Sequence, residues 1–520
     1  MQIYEGAIVT CDAVGSLKQF LVEDKGKIVF VGDELPNDYI KLPRVKLQDQ
    51  ALLPAFADTH IHYMSHALFD NGLDVRTAAS IADVQSAIKQ FAKSSKQGII
   101  TAFGASPHSV AEKRLITKSE IDAVCSTRGV FMVKYDGHAC IINSHLLAKL
   151  PNKIKNQRGF NADTGIMTQE AFFRVTDFIT AKVPLGKTLN DMLCTIDTMA
   201  AHGIGLIHSV AGVGFPLDMD VRLESLFARG LRNPLSYRLY FQTMDIKKVL
   251  KRKLPRVGGC FATALDGSFG SLDAALIDPY SNDNNNRGVL FYSDQVVHDF
   301  ARTANRAGLQ IEMHAIGDHA FEQGVDALAA ALEDFPRQDH RHTIIHACLP
   351  TERGLERCAK LDIGIALQPA FIYWHVEPPE YLDSILGSRL RKLMPLKTMC
   401  EMGIKLAGGS DAPCTIPDPL FGIWSSCNHP RAQESLSIQQ ALNLYTRNAA
   451  WMSFDDDRRG SLEVGKIADM IILDLNPLAI EPQKLKEIKV KQLLLAGKPY
   501  KPGQSRANLI WRGLFSRRSI

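Results

Sequence analysis

The stretch Ala51-Leu-Leu-Pro-Ala-Phe-Ala-Asp-Thr-His-Ile-His62 joins a short apolar run to two histidines that stand two residues apart. On an extended segment, side chains two residues apart point to the same side, so the imidazoles of His60 and His62 can face one point. Neutral imidazole is the commonest metal ligand in proteins, and Asp58 could orient the local backbone or one of the rings. The stretch therefore predicts a buried strand that ends in a chelating pair of histidines.

Further apolar runs follow this first one, and helix-like stretches separate them. Each run is short and ends in polar residues, as strands of a parallel sheet do when helices connect them. The alternation predicts an α/β fold with a parallel (β/α)8 barrel, or TIM barrel. The eight predicted strands are residues 52–58, 205–208, 237–242, 259–266, 309–314, 343–346, 363–368 and 404–411.

The two chain ends lie outside the predicted barrel and contain alternating, strand-like segments. Because a small sheet needs a partner to cover its apolar face, we expect both ends to form one β-sandwich. The segment between the first and second barrel strands is too long for a loop, so it predicts an inserted subdomain over the barrel mouth. The expected boundaries are 1–50 and 457–505 for the sandwich, 51–456 for the barrel with an insertion at about 66–200, and 506–520 for a basic tail.

The composition excludes several classes of protein. With 46% hydrophobic and 22% charged residues, the chain of 520 residues is an ordinary globular one that can bury a sizeable core. Lys and Arg number 60 against 56 Asp and Glu, and the formal net charge of +4 is too small to predict a nucleic acid partner. The ten cysteines form no Cys-x-x-Cys pair, which indicates buried thiols in a reducing compartment.

Targeting and membrane signals are missing from the sequence. The first residues lack a basic segment followed by an apolar one, and no apolar run reaches the roughly eighteen residues of a membrane span. We therefore expect a cytoplasmic protein that contacts no membrane, with a small molecule as its partner and a homodimer as the candidate assembly. The basic, amphipathic segment 506–518 could touch a membrane surface, but we expect a solvated or packed tail.

Ligand-type residues end three of the other predicted strands. His314 ends the fifth strand, His346 the sixth and Asp411 the eighth. Distant strand ends meet at the C-terminal rim of a barrel, so these side chains should lie near His60 and His62. Imidazoles with one carboxylate form the donor set of a hydrolytic metal site. The sequence therefore predicts a metal centre at this rim.

The motifs that carry these residues resemble the amidohydrolase superfamily, and within it the YtcJ-like branch, amidohydrolase family 3. The similarity extends over most of the chain and is specific for the fold rather than for the substrate. The matching segments are residues 53–62, 135–144, 265–270, 314–318, 345–347, 409–413 and 460–469.

The resemblance implies a metal-dependent hydrolase that cleaves a non-peptide C–N bond. It assigns His60, His62, His314 and His346 as metal ligands, and Asp411 as both a ligand and the general base. A metal lowers the pKa of bound water, and an adjacent carboxylate can take the proton as the water attacks a carbonyl carbon. We expect a linear amide, an N-acyl or N-formyl amine, as the substrate.

One position departs from the family pattern. Two-metal members carry a carboxylated, bridging lysine four residues before the Asp-Gly-Ser motif, and this chain has Ala262 there. Either the site holds one metal ion, or a carboxylate such as Asp266 or Glu170 replaces the bridge. We favour one ion per chain, with zinc as the default and manganese or iron as alternatives. In a one-metal site, His346 could instead act as an acid that polarises the substrate carbonyl.

Three residues are candidate substrate contacts. His138 lies in a family-like segment of the insertion, and Asp266 ends the fourth predicted strand. Trp374 belongs to an aromatic group after the seventh strand, which could form an apolar wall for an acyl or aromatic group. Each has a structural alternative: a hydrogen-bonded histidine, a turn residue and a core aromatic, respectively.

Two other functions are compatible with the same residues. The first is a one-metal deaminase of a ring amidine, which would release ammonia rather than an amine and a carboxylate. The second is a catalytically inactive homologue that binds a small molecule. Retention of all five ligand-type residues argues against the second, because binding alone does not require this donor set.

Overall fold

The computed structural model describes residues 1–95, 98–516, 518 and 520, and within them strands and helices alternate along the middle of the chain. The strands are β1 (Gln2–Val9), β2 (Leu17–Asp24), β3 (Lys27–Gly32), β4 (Arg44–Pro54), β5 (Phe56–Ile61), β6 (Leu73–Asp74), β7 (Ile99–Ala105), β8 (Gly129–Lys134), β9 (Ala139–Ile142), β10 (Ile166–Thr168), β11 (Ile204–Ala211), β12 (Ser236–Phe241), β13 (Arg256–Ala264), β14 (Gln310–Ala315), β15 (Thr343–His346), β16 (Gly364–Leu367), β17 (Leu406–Gly408), β18 (Met470–Leu473), β19 (Val490–Leu495) and β20 (Lys498–Pro499). The α-helices are α1 (Tyr63–Asp70), α2 (Ile81–Ser94), α3 (Lys118–Asp122), α4 (Ser144–Leu147), α5 (Asn152–Lys155), α6 (Gln169–Thr180), α7 (Leu185–Ala201), α8 (Met219–Gly230), α9 (Ile246–Lys251), α10 (Asp294–Arg306), α11 (Asp318–Asp334), α12 (Glu352–Leu361), α13 (Pro379–Leu386), α14 (Leu396–Glu401), α15 (Pro419–Cys427), α16 (Ile438–Leu444), α17 (Arg447–Met452) and α18 (Arg506–Phe515).

Eight strands form the central sheet, in the order β17-β16-β15-β14-β13-β12-β11-β5. Neighbouring strands pair in parallel, and helices connect them. The two outer strands meet, because the Asp411 N–H donates to the His60 carbonyl at 2.8 Å. The predicted α/β barrel is therefore confirmed as a nearly closed, eight-stranded parallel sheet. Strands such as β12 and β14 are buried along their whole length, as expected where helices cover the outer face.

The first predicted barrel strand, 52–58, is divided between two sheets. Residues up to Pro54 belong to β4, which pairs with β1 and β18, whereas β5 begins at Phe56 and pairs with β11. The chain changes sheet at Ala55, whose N–H donates to the Asp469 carbonyl at 2.9 Å. Both sheets bury this segment, so the hydrophobicity of the sequence does not reveal where the chain passes from one sheet to the other.

Both chain ends contribute to a single seven-stranded sheet, in the order β20-β19-β18-β4-β1-β2-β3. One face of it packs around the buried side chains of Ile8, Leu21, Leu52, Met470 and Leu494. The assignment of this sheet to a β-sandwich, and the domain boundaries, stay predictions.

The segment between β5 and β11 contains a separate five-stranded sheet, in the order β10-β9-β8-β7-β6. Apolar clusters cover both of its faces, one around Phe131 and the other around Ile100. The first cluster also contains Cys414 and packs against Phe371 and Trp374, which follow barrel strands. This sheet therefore packs against residues that follow barrel strands, and its assignment to an inserted subdomain over the barrel mouth stays a prediction.

The C-terminal segment forms α18, which packs against α8 through the buried side chain of Leu509. Arg517 and Ser519 of the predicted basic tail lie outside the described residues. In the described part of the chain, every helix is too short or too polar to cross a membrane.

Candidate functional site

The carboxylate of Asp411 lies between the two histidines of the opening motif. Its Oδ1 atom is 3.2 Å from Nε2 of His60 and 3.3 Å from Nε2 of His62. His60 lies near the end of β5, and the N–H of His62 donates to the Ala412 carbonyl at 3.0 Å. The backbone bonds between β5 and the segment after β17 thus bring these three buried side chains together.

Asp58 holds the backbone around His60 and Asp411 through three hydrogen bonds. Its Oδ1 accepts the N–H groups of Ser410 and His60 at 2.9 and 3.3 Å, and its Oδ2 accepts the Ser410 hydroxyl at 2.6 Å. Of the two roles that the sequence suggested for Asp58, the structure shows the first: it orients the backbone. It holds the backbone of His60 against the residue that precedes Asp411.

His314 and His346 stand at the ends of adjacent strands, with ring centroids 4.5 Å apart. Nδ1 of His346 lies 2.5 Å from Oε1 of Gln368, a carbonyl oxygen that can only accept, so this nitrogen carries the proton. Nε2 of His346 is then left with a lone pair. Likewise Nε2 of His314 donates to the Gly267 carbonyl at 3.1 Å and leaves Nδ1 as the lone-pair nitrogen.

A cysteine that the sequence reasoning did not single out lies at the centre of the site. Sγ of Cys260, on β13, is 3.1 Å from Nε2 of His60 and 3.4 Å from Nε2 of His346. Ala262, which the family spacing aligned with the bridging lysine, instead offers its carbonyl to the Tyr292 hydroxyl at 2.9 Å.

Spacing from Asp266 does not identify the side chain at the centre of the site, because β13 is irregular. Its pairing with β14 jumps from Gly259 opposite Met313 to Ala264 opposite His314, so extra residues bulge out between the two pairs. The bulge shifts which side chains point into the barrel, and no sequence motif announces it.

These residues form two overlapping sets of ligand atoms, each set mutually within 4.8 Å. The first donor group is His60, His62, Cys260 and Asp411, and the second donor group is Cys260, His314 and His346. Nδ1 of His314 and Oδ1 of Asp411 are buried and make no hydrogen bond of good geometry with the described residues. Imidazole, thiolate and carboxylate are the donors that zinc prefers, so the residues fit a divalent metal.

The electrostatics of the site also suit a cation. Burial lowers the pKa of His60, and it holds the pKa of His346 well below its usual value, so both imidazoles are neutral. Burial alone would raise the pKa of Asp411, but the close imidazoles of His60 and His62, 3.2 and 3.3 Å from Oδ1, hold it well below its usual value. Neutral imidazoles beside an ionised carboxylate are the protonation states that bind a metal.

Glu170 and Asp266, the predicted replacements for the bridging lysine, belong to neither donor group. Glu170 stands in the first turn of α6 and pairs with the exposed side chain of Arg158 at 2.9 Å. This corrects its prediction as a metal ligand, because local similarity to relatives does not fix where a side chain points.

Asp266 is fully buried, and its two carboxylate oxygens accept the backbone N–H groups of Ala275, Ile316 and Gly317 at 2.8 to 3.0 Å. Its Oδ1 also lies 3.4 Å from Nε2 of His314. The structure therefore contradicts its prediction as a substrate contact: it positions the loops around His314 instead.

A cavity of about 990 Å³, measured with its opening to solvent, lies above the donor groups. His138 and Trp374, two predicted substrate contacts, line it, and Trp374 stacks on Phe371 with ring centroids 4.3 Å apart. Among the described residues that line the cavity there is no lysine or arginine. Its further aromatic walls are Phe69, Phe103, Phe172, Phe173, Phe261 and Phe269.

Two carboxylates in the cavity wall were also missed by the sequence reasoning. Asp136 accepts hydrogen bonds from Lys134 Nζ at 2.7 Å and from the Ser268 hydroxyl at 2.9 Å. Burial raises the pKa of Glu377 to about 7, and its Oε1 accepts the Tyr135 hydroxyl at 2.9 Å. The bond between Asp136 and Ser268 joins the motifs at 135–144 and 265–270, and this contact could not be read from either motif alone.

Known proteins resemble this chain in sequence and in fold. The amidohydrolase family model matches residues 45–500. The putative amidohydrolase YtcJ of Bacillus subtilis is 27% identical over 482 residues, which cover 87% of this chain and 89% of that protein. The N-substituted formamide deformylase of Arthrobacter pascens is 22% identical over 547 aligned residues, with 96% and 97% of the two chains covered.

A crystal structure of an uncharacterized metal-dependent hydrolase from Pyrococcus furiosus has the same fold. Its TM-score is 0.73 at 24% identity, and the match covers 92% of this chain and 99% of that one. Because the family model spans most of the sequence, the chain belongs to the amidohydrolase family and is a metal-dependent hydrolase.

Proposed function

We propose that this protein hydrolyses a linear, non-peptide amide, an N-acyl or N-formyl amine, with Asp411 as the general base. The observation that carries the proposal is the position of Asp411 Oδ1, within 3.3 Å of Nε2 of both His60 and His62, with Asp411 and His62 lining an aromatic cavity. His314 and His346 complete the proposed metal centre. Zinc is the ion we favour, with manganese and iron as alternatives.

A divalent ion bound to this donor set would polarise a carbonyl group and lower the pKa of a water molecule. The contribution of Asp411 is to hold and move a proton. Its Oδ1 makes no well-directed hydrogen bond with the described residues, so it can accept the proton of the attacking water and pass it to the leaving nitrogen. Hydrolysis then yields an amine and a carboxylic acid.

We assign His346 to the metal ligands rather than to an acid that polarises the carbonyl. A neutral His346 whose Nδ1 donates to Gln368 has no proton on Nε2, the nitrogen nearest Cys260. An acid at this position would require the imidazolium form, which burial disfavours.

The cavity supports an apolar substituent on the substrate. Its walls are mainly aromatic, and the titratable residues among its described lining are histidines, cysteines and the carboxylates of Asp136, Glu377 and Asp411. Lys134 is already paired with Asp136, so the described lining offers no free cation to the carboxylate of a substrate. The likeness to the N-substituted formamide deformylase supports N-formyl amines as the first substrates to test.

The test is hydrolysis of N-benzylformamide by the zinc-loaded enzyme, with separate detection of benzylamine, formate and ammonia. We expect equal amounts of amine and formate, and a loss of kcat of about 10²- to 10⁴-fold in Asp411→Asn, which keeps the shape of the side chain but removes the base. Asp38→Asn, at an exposed position, is the matched control. Ammonia released from an aminated ring, with no cleavage of linear amides, would contradict the proposal and favour the deaminase.

Metal-free enzyme that retains full activity would contradict the metal centre. A protein that binds no metal and cleaves neither class of substrate would instead favour the inactive, small-molecule-binding homologue.

A further inference from the structure

Cys260 is common to both donor groups, and its Sγ lies between their histidines. The atom is 3.1 Å from Nε2 of His60, in the first group, and 3.4 Å from Nε2 of His346, in the second. A thiolate sulfur has enough lone pairs to bind two cations at once, and it is a preferred donor for zinc. We propose that the sulfur of Cys260 bridges two metal ions, one in each donor group.

The count of ligands in each group supports this assignment. Without Cys260 the first group still offers His60, His62 and Asp411, which is the three-residue set of a catalytic zinc site. Without Cys260 the second group keeps only two histidines, which is one fewer than such a site uses. Cys260 therefore decides whether a second ion binds, while the first group can hold its ion alone.

The backbone of β13 is built to place this thiol in the barrel. Gly258 and Gly259 precede Cys260 with φ of +118° and +133°, values that side-chain-bearing residues rarely adopt. A Cβ atom on Gly258 would lie 1.8 Å from the Glu312 carbonyl oxygen of β14. Gly258 thus allows close approach of β13 and β14 just before Cys260, whereas a Cβ on Gly259 would lie 2.8 Å from Gln242. Phe261 continues the irregular path with φ of +46°.

The position of Cys260 also compensates for the absence of a bridging lysine. Ala262 cannot bind a metal, but the central position holds the sulfur of Cys260 and not Ala262. The protonated thiol would lose its proton to solvent when the ions bind, so that one negative charge is shared by two cations. No oxidation or further reactant is required.

The experiment compares the whole protein with single variants after removal of metal and reconstitution with Zn²⁺ or Co²⁺. Metal per chain is measured by plasma mass spectrometry, and the Co²⁺ forms are examined for a near-ultraviolet thiolate-to-metal charge-transfer band. We expect about two ions per chain and the band in the wild type, and about one ion without the band in Cys260→Ala. Cys348→Ala, a buried thiol that lines the same cavity outside both groups, should keep the metal content and the band.

Cys260→Ser retains the size of the side chain and serves if the alanine variant does not fold, with near-ultraviolet circular dichroism as the check on folding. Two ions in a folded Cys260 variant would overturn the bridge, and so would two ions without the band in the wild type. One ion in the wild type, even with the band, would reduce Cys260 to a ligand of a single metal and also overturn it.

The inference rests on the metal centre of the proposed function, but the two can fail separately. A one-ion enzyme that hydrolyses N-formyl amines would retain the proposed function and exclude the bridge. Two thiolate-bridged ions in a protein that cleaves no amide would retain the bridge and exclude the proposed substrate.

Discussion

Asp58 accepts the hydroxyl of Ser410 at 2.6 Å, and this bond joins the first barrel strand to the segment that carries Asp411. The same carboxylate accepts two backbone N–H groups, one from each side of the junction. These hydrogen bonds therefore hold the first and eighth barrel strands together where they meet. The distances from Asp411 to His60 and His62 depend on this contact.

Replacing Asp58 with alanine should weaken metal binding without removing a metal ligand. The substitution leaves the N–H groups of Ser410 and His60 and the Ser410 hydroxyl buried without their acceptor, at about 1–3 kcal/mol for each unsatisfied group. Loss of such a supporting residue typically lowers metal affinity by about 10- to 100-fold. Competition with a chromophoric chelator measures the affinity, and the exposed Asp38→Ala is the control. Unchanged affinity in Asp58→Ala would show that the junction is held by the backbone alone.

The ligand residues at strand ends were predictable because each has a local signal. His314 and His346 directly end apolar runs, and barrel geometry brings the ends of separate strands to one rim. The position of Cys260 had no such signal, since it depends on how β13 bulges against β14. The division of 52–58 between two sheets was hidden for a related reason: both sheets bury apolar residues, so hydrophobicity does not change at Ala55.

Side chains that act through distant partners were the least predictable. Glu170 pairs with Arg158 rather than with a metal, and both oxygens of Asp266 are occupied by backbone groups up to 51 residues away. Asp136 is held by Lys134 close by and by Ser268 from a barrel loop. Sequence spacing gives the identity of such residues, but the contacts that assign their roles exist only after the chain has folded.

Glu377 should make the stability of the protein depend on pH. Burial raises the pKa of this carboxyl from its ordinary 4.5 to about 7. A carboxyl whose pKa rises on folding binds its proton more tightly in the folded state, so stability is lost as the pH rises from about 4.5 through about 7. Glu377→Gln keeps an acceptor for the Tyr135 hydroxyl but cannot ionise, so this variant should match the wild type at pH 4.5 and exceed it at pH 8.

Denaturant unfolding of the wild type and Glu377→Gln at several pH values measures this difference. The pKa shift sets an upper limit of about 3 kcal/mol on this difference in the free energy of unfolding. We expect a smaller difference, because Glu377 is partly exposed and solvent screens its charge. Glu380→Gln, at an exposed position in α13, should follow the wild type at every pH. A gap between wild type and Glu377→Gln that does not change with pH would contradict the raised pKa.

Trp374 should select for flat, apolar substituents on the substrate. Its indole stacks on Phe371 with an interplanar angle of 11°, and its N–H donates to the Cys414 carbonyl at 3.3 Å, so the ring is held in the cavity wall. Trp374→Leu keeps an apolar surface but removes the flat face, whose contact with an aromatic ring contributes about 0.5–1.5 kcal/mol. We therefore expect kcat/KM for N-benzylformamide to fall by up to about tenfold, mainly through KM, and that for N-methylformamide to change by less than about twofold.

Trp511→Leu, on the exposed face of α18, is the matched control. A general disturbance of the metal centre would lower kcat equally for both formamides. An equal loss of kcat would therefore show that Trp374 supports the fold of the cavity and does not determine the choice of substrate.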